Sequence, residues 1–369
     1  MRAGSIRVLE LRGAPFDRGV EHGRAVGDLI ALYWEELVRE VTDRAAQTMT
    51  EPELRAWVAD RASPALALSP DLHEEIRGIA EGSGVGYEAA VGVNLFEEIA
   101  DLSWARGRVP QVAREHRCSA AIVPPDMTTT GTWLLAQNWD GSDWWDDPVL
   151  FVVEEETGTS VYLTDAGSVG GIGVNDRGLA SAHTGVGLAE QVPGLPYSII
   201  ARRILQAGDV AAAAASVVDE PSTAGCHYIV ADGKRVLDVE AAGVKNATIA
   251  YDGLFSTCAH FLDGSCASQQ LREDLSGSVY RTERIQERVR EAGRVGPDDL
   301  FGVMADHAPG PRGITVCRHP DANFDTRTSG CVVMGTDSRM WTRTGNPCEA
   351  RPIVETRIEE GRALVATAA

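Results

Sequence analysis

The chain has no basic run, no long apolar run and no paired cysteines, and each absence removes a class of function. Its 369 residues hold 34 Lys and Arg against 54 Asp and Glu, a formal net charge of −20. Gripping a phosphate backbone takes clustered Lys and Arg, so nucleic acid is disfavoured as a partner. The acidity could attract a cationic amine, but plain solubility accounts for it without any ligand. No stretch of 18 or more apolar residues occurs, so no membrane span is expected. At the start, Arg2, Arg7 and Glu10 break up Ile6, Val8 and Leu9, which is not a signal-peptide core. The seven cysteines are odd in number and lack a Cys-x-x-Cys pair. A disulfide framework and a zinc site are both disfavoured, no metal or other cofactor is expected, and a reducing cytoplasm fits. The run Gly170-Gly171-Ile172-Gly173 lacks the Lys-Ser/Thr and the following helix of a phosphate cradle, so a nucleotide site is set aside.

What is present is a chain of two textures. With 44% hydrophobic residues it can build a large core. Residues 5–12 alternate like a strand, and 16–46 place Ile30, Trp34, Leu37 and Val41 at helical spacing. Residues 51–61, 71–82 and 87–105 read as further helices, which makes the first third mostly helical and acidic. From residue 118 onward short apolar runs punctuated by Gly, Pro and Asp predict strands at 119–124, 132–137, 148–154, 159–164, 168–174, 179–183, 226–232, 235–240, 247–251, 313–317 and 328–334. Helices are predicted at 196–218 and 278–292, and an exposed loop at 262–278. Strands segregated from helices argue for an α+β fold. No internal repeat and no long linker appears. The division is therefore a helical segment, 1–117, and a β-rich segment, 118–369, within one compact domain.

Cys118 opens the first β-rich run, Arg117-Cys118-Ser119-Ala120-Ala121-Ile122-Val123. After a Pro- and Thr-rich turn a second run ends in Gln137-Asn138-Trp139-Asp140, and such a hairpin returns Asp140 towards the thiol. A Cys whose pKa is lowered by a nearby base or cation is a strong nucleophile. The competing reading is a buried free Cys at a strand start. For Asp140 the competing reading is a turn Asp.

At these residues the chain resembles the acyl-coenzyme A:6-aminopenicillanic acid acyltransferase (isopenicillin N acyltransferase) family of N-terminal nucleophile hydrolases. The similarity runs through Gly13-Ala14-Pro15-Phe16 to His22-Gly23, the Cys118 hairpin and Gly173-Val174-Asn175-Asp176-Arg177-Gly178-Leu179. It continues in Asp306-His307, Cys317-Arg318-His319-Pro320, Thr328-Ser329-Gly330-Cys331 and Gly345-Asn346-Pro347-Cys348. The resemblance implies a four-layer αββα sandwich of the N-terminal nucleophile hydrolase type. It also implies self-cleavage between Arg117 and Cys118, followed by catalysis through a thioester on Cys118. The substrate it implies is a small amide or acyl donor, with acyl-coenzyme A among the donors, and hydrolysis and acyl transfer both stay open.

By the same resemblance Asp140 holds the new α-amine. Arg318 places a guanidinium near the thiol, and a structural Arg pairing Asp306 or Asp140 is the equal alternative. His183, Thr184 and Gly185 lie in the segment that gives one oxyanion donor. His307 and His319 read as structural. Two departures stand out. The family has Gly before the Cys where this chain has Arg117, and Asn in its second donor motif where this chain has Ala259, next to His260. Either the backbone, Cys258, His227 or His260 replaces that donor, or the chemistry differs from the usual amide hydrolysis. These departures keep two other readings open: a conjugate-cleaving hydrolase without acyl transfer, and a non-catalytic binding relative. Trp139, Trp144 and Trp145 are candidate walls of an apolar acyl pocket, with ordinary core aromatics as the alternative.

Overall fold

The structure is a computed structural model, and it describes residues 2–3, 6–43, 45, 47–105, 117–142, 147–271, 274–321 and 326–367. The predicted sites Trp144 and Trp145 lie outside the described residues. Two large sheets form the centre. The first begins with β1 (Arg2–Ala3) and β2 (Ile6–Leu11), continues through β5 (Val149–Glu155), β6 (Gly158–Thr164), β7 (Ile172–Asn175) and β8 (Ala180–Val186), and ends with β9 (Gly225–Ala231), β10 (Val236–Ala242) and β11 (Lys245–Tyr251). The second has the order β12 (Phe255–Thr257), β3 (Ser119–Val123), β4 (Leu134–Ser142), β13 (Thr326–Gly335), β14 (Arg339–Thr344), β15 (Val354–Glu359), β16 (Arg362–Thr367).

The sheets pack face to face, with β3, β4 and β13 against β7 and β8, and β15 and β16 against β6. Helices α1 (Pro15–Thr42), α6 (Tyr197–Gln206) and α7 (Val210–Val218) cover the outer face of the first sheet. Helices α9 (Ser276–Ala292) and α10 (Pro297–Met304) cover the second. The result is the expected four-layer αββα sandwich. Strands between two covered faces should be apolar on both sides, and β3, β8 and β9 are buried at every position.

The helical first third is not a separate body. β2 pairs in parallel with β5, so the segment before Cys118 supplies an edge of the first sheet. Its helices α2 (Glu51–Leu68), α3 (Pro70–Ser83), α4 (Tyr87–Val93) and α5 (Phe96–Ala105) pack around α1. The α1–α3 crossing explains part of the opening motif. A Cβ on Gly19 would stand 2.0 Å from the Glu75 carbonyl oxygen, and one on Gly23 would stand 2.4 Å from that of Ile79. His22 beside them is buried, and its Nε2 accepts from the Gly167 amide at 2.9 Å. The Gly173–Leu179 block is likewise structural. Asn175 donates to the Leu205 and Ala207 carbonyls at 3.0 Å each and accepts from the Arg177 and Leu179 amides.

Several expectations need correction. The predicted helix 196–218 is two helices, because Ala207 leaves helical geometry at φ −70°, ψ 150° and the N-cap Asp209 starts α7. Residues 87–105 likewise split into α4 and α5. The predicted strand at 313–317 does not form. A 3-10 turn at Pro311–Gly313 precedes it, and the Cys317 amide donates to the Asp306 carbonyl at 3.1 Å instead of to a sheet. The expected loop at 262–278 contains a short helix, α8 (Gly264–Ala267), that buries Cys266. Helix α10 and strands β12 and β14 were not anticipated.

Candidate active site around Cys118

Cys118 lies at the start of β3, and the β3–β4 register pairs Ser119 with Asn138. That brings the thiol alongside the end of β4, as the hairpin predicted. Cys118 is 7% exposed. The intact chain does not show the expected lowering of its pKa. Burial pushes the thiol well up, and the charges of Asp140 and Glu97 push the same way. Hydrogen bonds from the Asp140 backbone and the Gln137 side chain act in the opposite direction.

Asp140 is buried, and Thr328 Oγ1 donates to its Oδ1 at 2.6 Å. Arg281 Nη1 donates to its Oδ2 at 3.2 Å. Burial raises this carboxyl to about 6 against the pull of Arg281, Thr328 and Arg318. Arg318 is buried beside it, with its amide donating to Thr328 Oγ1 at 2.9 Å. Arg318 therefore acts on Asp140 through charge, while the direct ion pair is made by Arg281. The alternative partner for Arg318, Asp306, is held by Arg284 at 2.8 Å and by Arg288 at 3.3 Å.

Arg281 is the residue the sequence reading missed. The same Nη1 that meets Asp140 also donates to the Arg117 carbonyl oxygen at 2.7 Å. That oxygen belongs to the peptide bond just before Cys118. Nε and Nη2 of Arg281 have no hydrogen-bond partner among the described residues. The only available signal was its place in the predicted 278–292 helix, which says nothing about where a guanidinium ends.

Arg117, where a Gly was expected, sits in a prepared recess. Its guanidinium pairs with Asp101 of α5 and lies 3.8 Å from Glu97. A Cβ on Gly185 would stand 3.0 Å from Arg117 Nη1, and one on Gly187 would stand 3.2 Å from Nη2. The bare backbone at Gly185 thus makes room for Arg117.

The expected oxyanion segment is largely engaged. The His183 amide donates to Gln137 Oε1 at 2.6 Å, and the His183 carbonyl accepts from Gln137 Nε2 at 2.5 Å. The buried His183 ring meets Ser181 and Tyr197, and burial lowers its pKa to about 3. Thr184 Oγ1 donates to Thr257 Oγ1 at 3.1 Å.

Ala259 follows β12, whose Thr257 pairs with Ala120 of β3. The strand pairing ends at Thr257, and Ala259 and His260 lie in a bend two residues beyond it. The two histidines among the proposed replacements for the amide missing at Ala259 are occupied. His227 pairs with Asp238 at 2.9 Å through Nδ1 and meets the His260 carbonyl at 2.8 Å through Nε2. His260 meets Ser278 at 2.7 Å. Asp238 and Glu240 overcome burial and hold His227 at about 9, so it is a fixed cation at neutral pH.

Among the described residues no helix is long and apolar enough to cross a membrane. No family model matches the chain. Among solved structures, penicillin V acylase from Agrobacterium tumefaciens is similar at 14% identity and a TM-score of 0.43, over 66% of this chain and 87% of that one. Likeness at this level leaves the chemistry of this chain to its own residues.

Proposed function

We propose that the chain is a cysteine-nucleophile amide hydrolase or acyltransferase that cuts itself between Arg117 and Cys118. The observation that carries this reading is the bridge made by Arg281, which joins the Arg117 carbonyl to Asp140. In the first step Cys118 Sγ attacks the Arg117 carbonyl carbon, and the oxyanion that forms is the oxygen already bonded to Arg281. A fixed donor on a developing oxyanion contributes most where water is excluded, and this one is fully buried. The carbon–nitrogen bond then breaks, the Cys118 nitrogen takes a proton and Arg117 is left as a thioester. Asp140, at about 6, is suited to relay that proton from thiol to nitrogen. Water hydrolyses the thioester, which releases Arg117 as a carboxylate and returns the Cys118 thiol beside its new α-amine. An α-amine has a pKa of roughly 7.7–8.0, which suits a general base at neutral pH.

Once Arg117 leaves as a carboxylate, Arg281 is free to receive a substrate carbonyl in its place. This gives a substitute for the amide absent at Ala259. The substrate class is a small amide or acyl donor, taken up as a thioester and passed to water or to an amine. Product analysis with and without an amine acceptor separates hydrolysis from transfer. Mass spectrometry of the native protein tests the whole reading. Fragments 1–117 and 118–369 are expected, together with an acyl mass on Cys118 when a turned-over amide is supplied. Activity in a chain that stays intact would remove the amine from the mechanism. The second reading, a non-catalytic relative, is favoured by Ala259 and by the raised thiol, and it expects an uncut chain that is never acylated.

A further inference from the structure

Four side chains outside the Cys118 site converge on one point. They are His307, just after α10, Cys317 and His319, just before β13, and Cys348, just after β14. Their nearest atoms are two sulfurs and two Nε2 nitrogens. The sulfurs of Cys317 and Cys348 are 3.8 Å apart, and the two imidazole nitrogens are 3.1 Å apart. His319 Nε2 lies 3.5 Å from Cys317 Sγ and 3.4 Å from Cys348 Sγ.

Those four spacings match edges of a small tetrahedron, and all four ligand atoms lie within 4.8 Å of one another. With zinc–sulfur bonds of about 2.3 Å and zinc–nitrogen bonds of about 2.0–2.1 Å, tetrahedral edges come to about 3.8 Å for two sulfurs, about 3.5 Å for sulfur and nitrogen, and about 3.3 Å for two nitrogens. We propose that His307, Cys317, His319 and Cys348 form a zinc site. Two thiolates and two imidazoles in tetrahedral array select zinc over the oxygen-seeking magnesium and calcium. With four protein ligands no position is left for a substrate, so the site is structural. Asn346 supports it from outside, its Nδ2 donating to Cys317 Sγ at 3.4 Å and to the Arg318 carbonyl. The absence of a Cys-x-x-Cys pair, which argued against zinc in the sequence, does not exclude ligands brought together by two separate connections, α10–β13 and β14–β15.

The consequence for the fold is local and specific. Zinc ties the α10–β13 connection to the end of β14, where no strand pairing holds residues 313–317. It clamps the residues on either side of Arg318, whose charge acts on Asp140. The site is thus a fastening for that arginine, and it stands whether or not Cys118 is catalytic.

Metal analysis of the full-length chain purified under reducing conditions tests this. One zinc per chain is expected. Stripping with a chelator should lower the thermal midpoint, and zinc chloride should restore it. Cobalt(II) in place of zinc should give the intense visible absorption of a tetrahedral thiolate site. Iodoacetamide should label the exposed Cys348 in the stripped chain and not in the zinc-loaded one. Cys348→Ser should weaken zinc binding by more than about 100-fold, beyond the roughly 10–100-fold expected for the outer partner in Asn346→Ala. A folded wild-type chain that takes up no zinc overturns the proposal, as does a Cys317–Cys348 disulfide in the reduced preparation.

Discussion

Two buried charge networks in this molecule hold their carboxylates differently. Under α1, Arg18 pairs with Glu75 at 2.7 Å and Arg202 pairs with Glu155 at 3.0 Å. Cross contacts of 3.4 Å and 3.9 Å close the square. Two cations meet two anions. Burial pushes Glu155 up, but Arg202, Gln206 and Arg18 outweigh it and leave its pKa below the ordinary value. Around Cys118 the balance reverses. Burial holds Asp140 at about 6 despite Arg281 and Arg318, and next to Glu97, whose charge acts on Cys118, it holds Glu98 of α5 at about 7 despite bonds from Thr223 and the Tyr197 amide. The first network keeps its charges fixed, as a structural pairing should. The second keeps acids that change protonation near neutral pH, which is where proton-transfer chemistry needs them.

The sharpest way to break this contrast is to remove the thiol. Cys118→Ala should run as a single uncut band on denaturing gels and show no activity, while its thermal midpoint stays close to that of the wild-type precursor. Cleavage in that variant would separate the cut from Cys118 altogether.

The next largest effect is expected at Arg281. Arg281→Met removes the donor on the Arg117 carbonyl and should slow precursor disappearance by about 100- to 1,000-fold. Arg281→Lys keeps a cation and should recover part of the rate. The matching change in the other network, Arg202→Met, leaves Glu155 and Glu75 short of a partner. It should lower stability by about 3–5 kcal/mol in chemical denaturation, the range for a broken buried pair. The cutting rate of its folded fraction should be unchanged. Equal slowing by the two variants would mean that Arg281 acts through the fold rather than on the carbonyl.

The difference between the two arginines also marks what the sequence could reveal. Cys118 and Asp140 were legible because a hairpin of neighbouring strands joins them, and alternation with turn residues marks such a hairpin. The layering was legible in kind, from strands segregated from helices and from the resemblance. Arg281 was not, because it reaches the Arg117 carbonyl across 164 residues. Helical periodicity placed its segment without indicating the end of its side chain. Arg117 looked unfavourable by position alone, since its acidic partners lie on α5 and its space depends on Gly185 and Gly187. Cys317 and His319 look like strand and structural residues in the sequence, because local apolar content cannot show that Cys348 and His307 fold onto them.

The smallest expected effect is a pair of opposite pH slopes. Glu98 has a folded pKa of about 7 against an ordinary 4.5 because it is buried, so the folded chain binds this proton more tightly than the unfolded chain. Its contribution to stability is therefore greatest below about 4.5 and is lost as pH rises towards 7, by at most about 1.4 kcal/mol per pH unit. Asp140 acts with the same sign between 3.8 and about 6. Glu155, with its pKa lowered, has the other sign: its contribution is present above the ordinary 4.5 and is lost as pH falls through its folded value. Urea denaturation at a series of pH values should show Glu98→Gln flattening the decline in stability between pH 4.5 and 7. Glu155→Gln should instead flatten the loss on the acid side. If both substitutions changed the slope in the same direction, the two networks would not differ in the way their carboxylates are held.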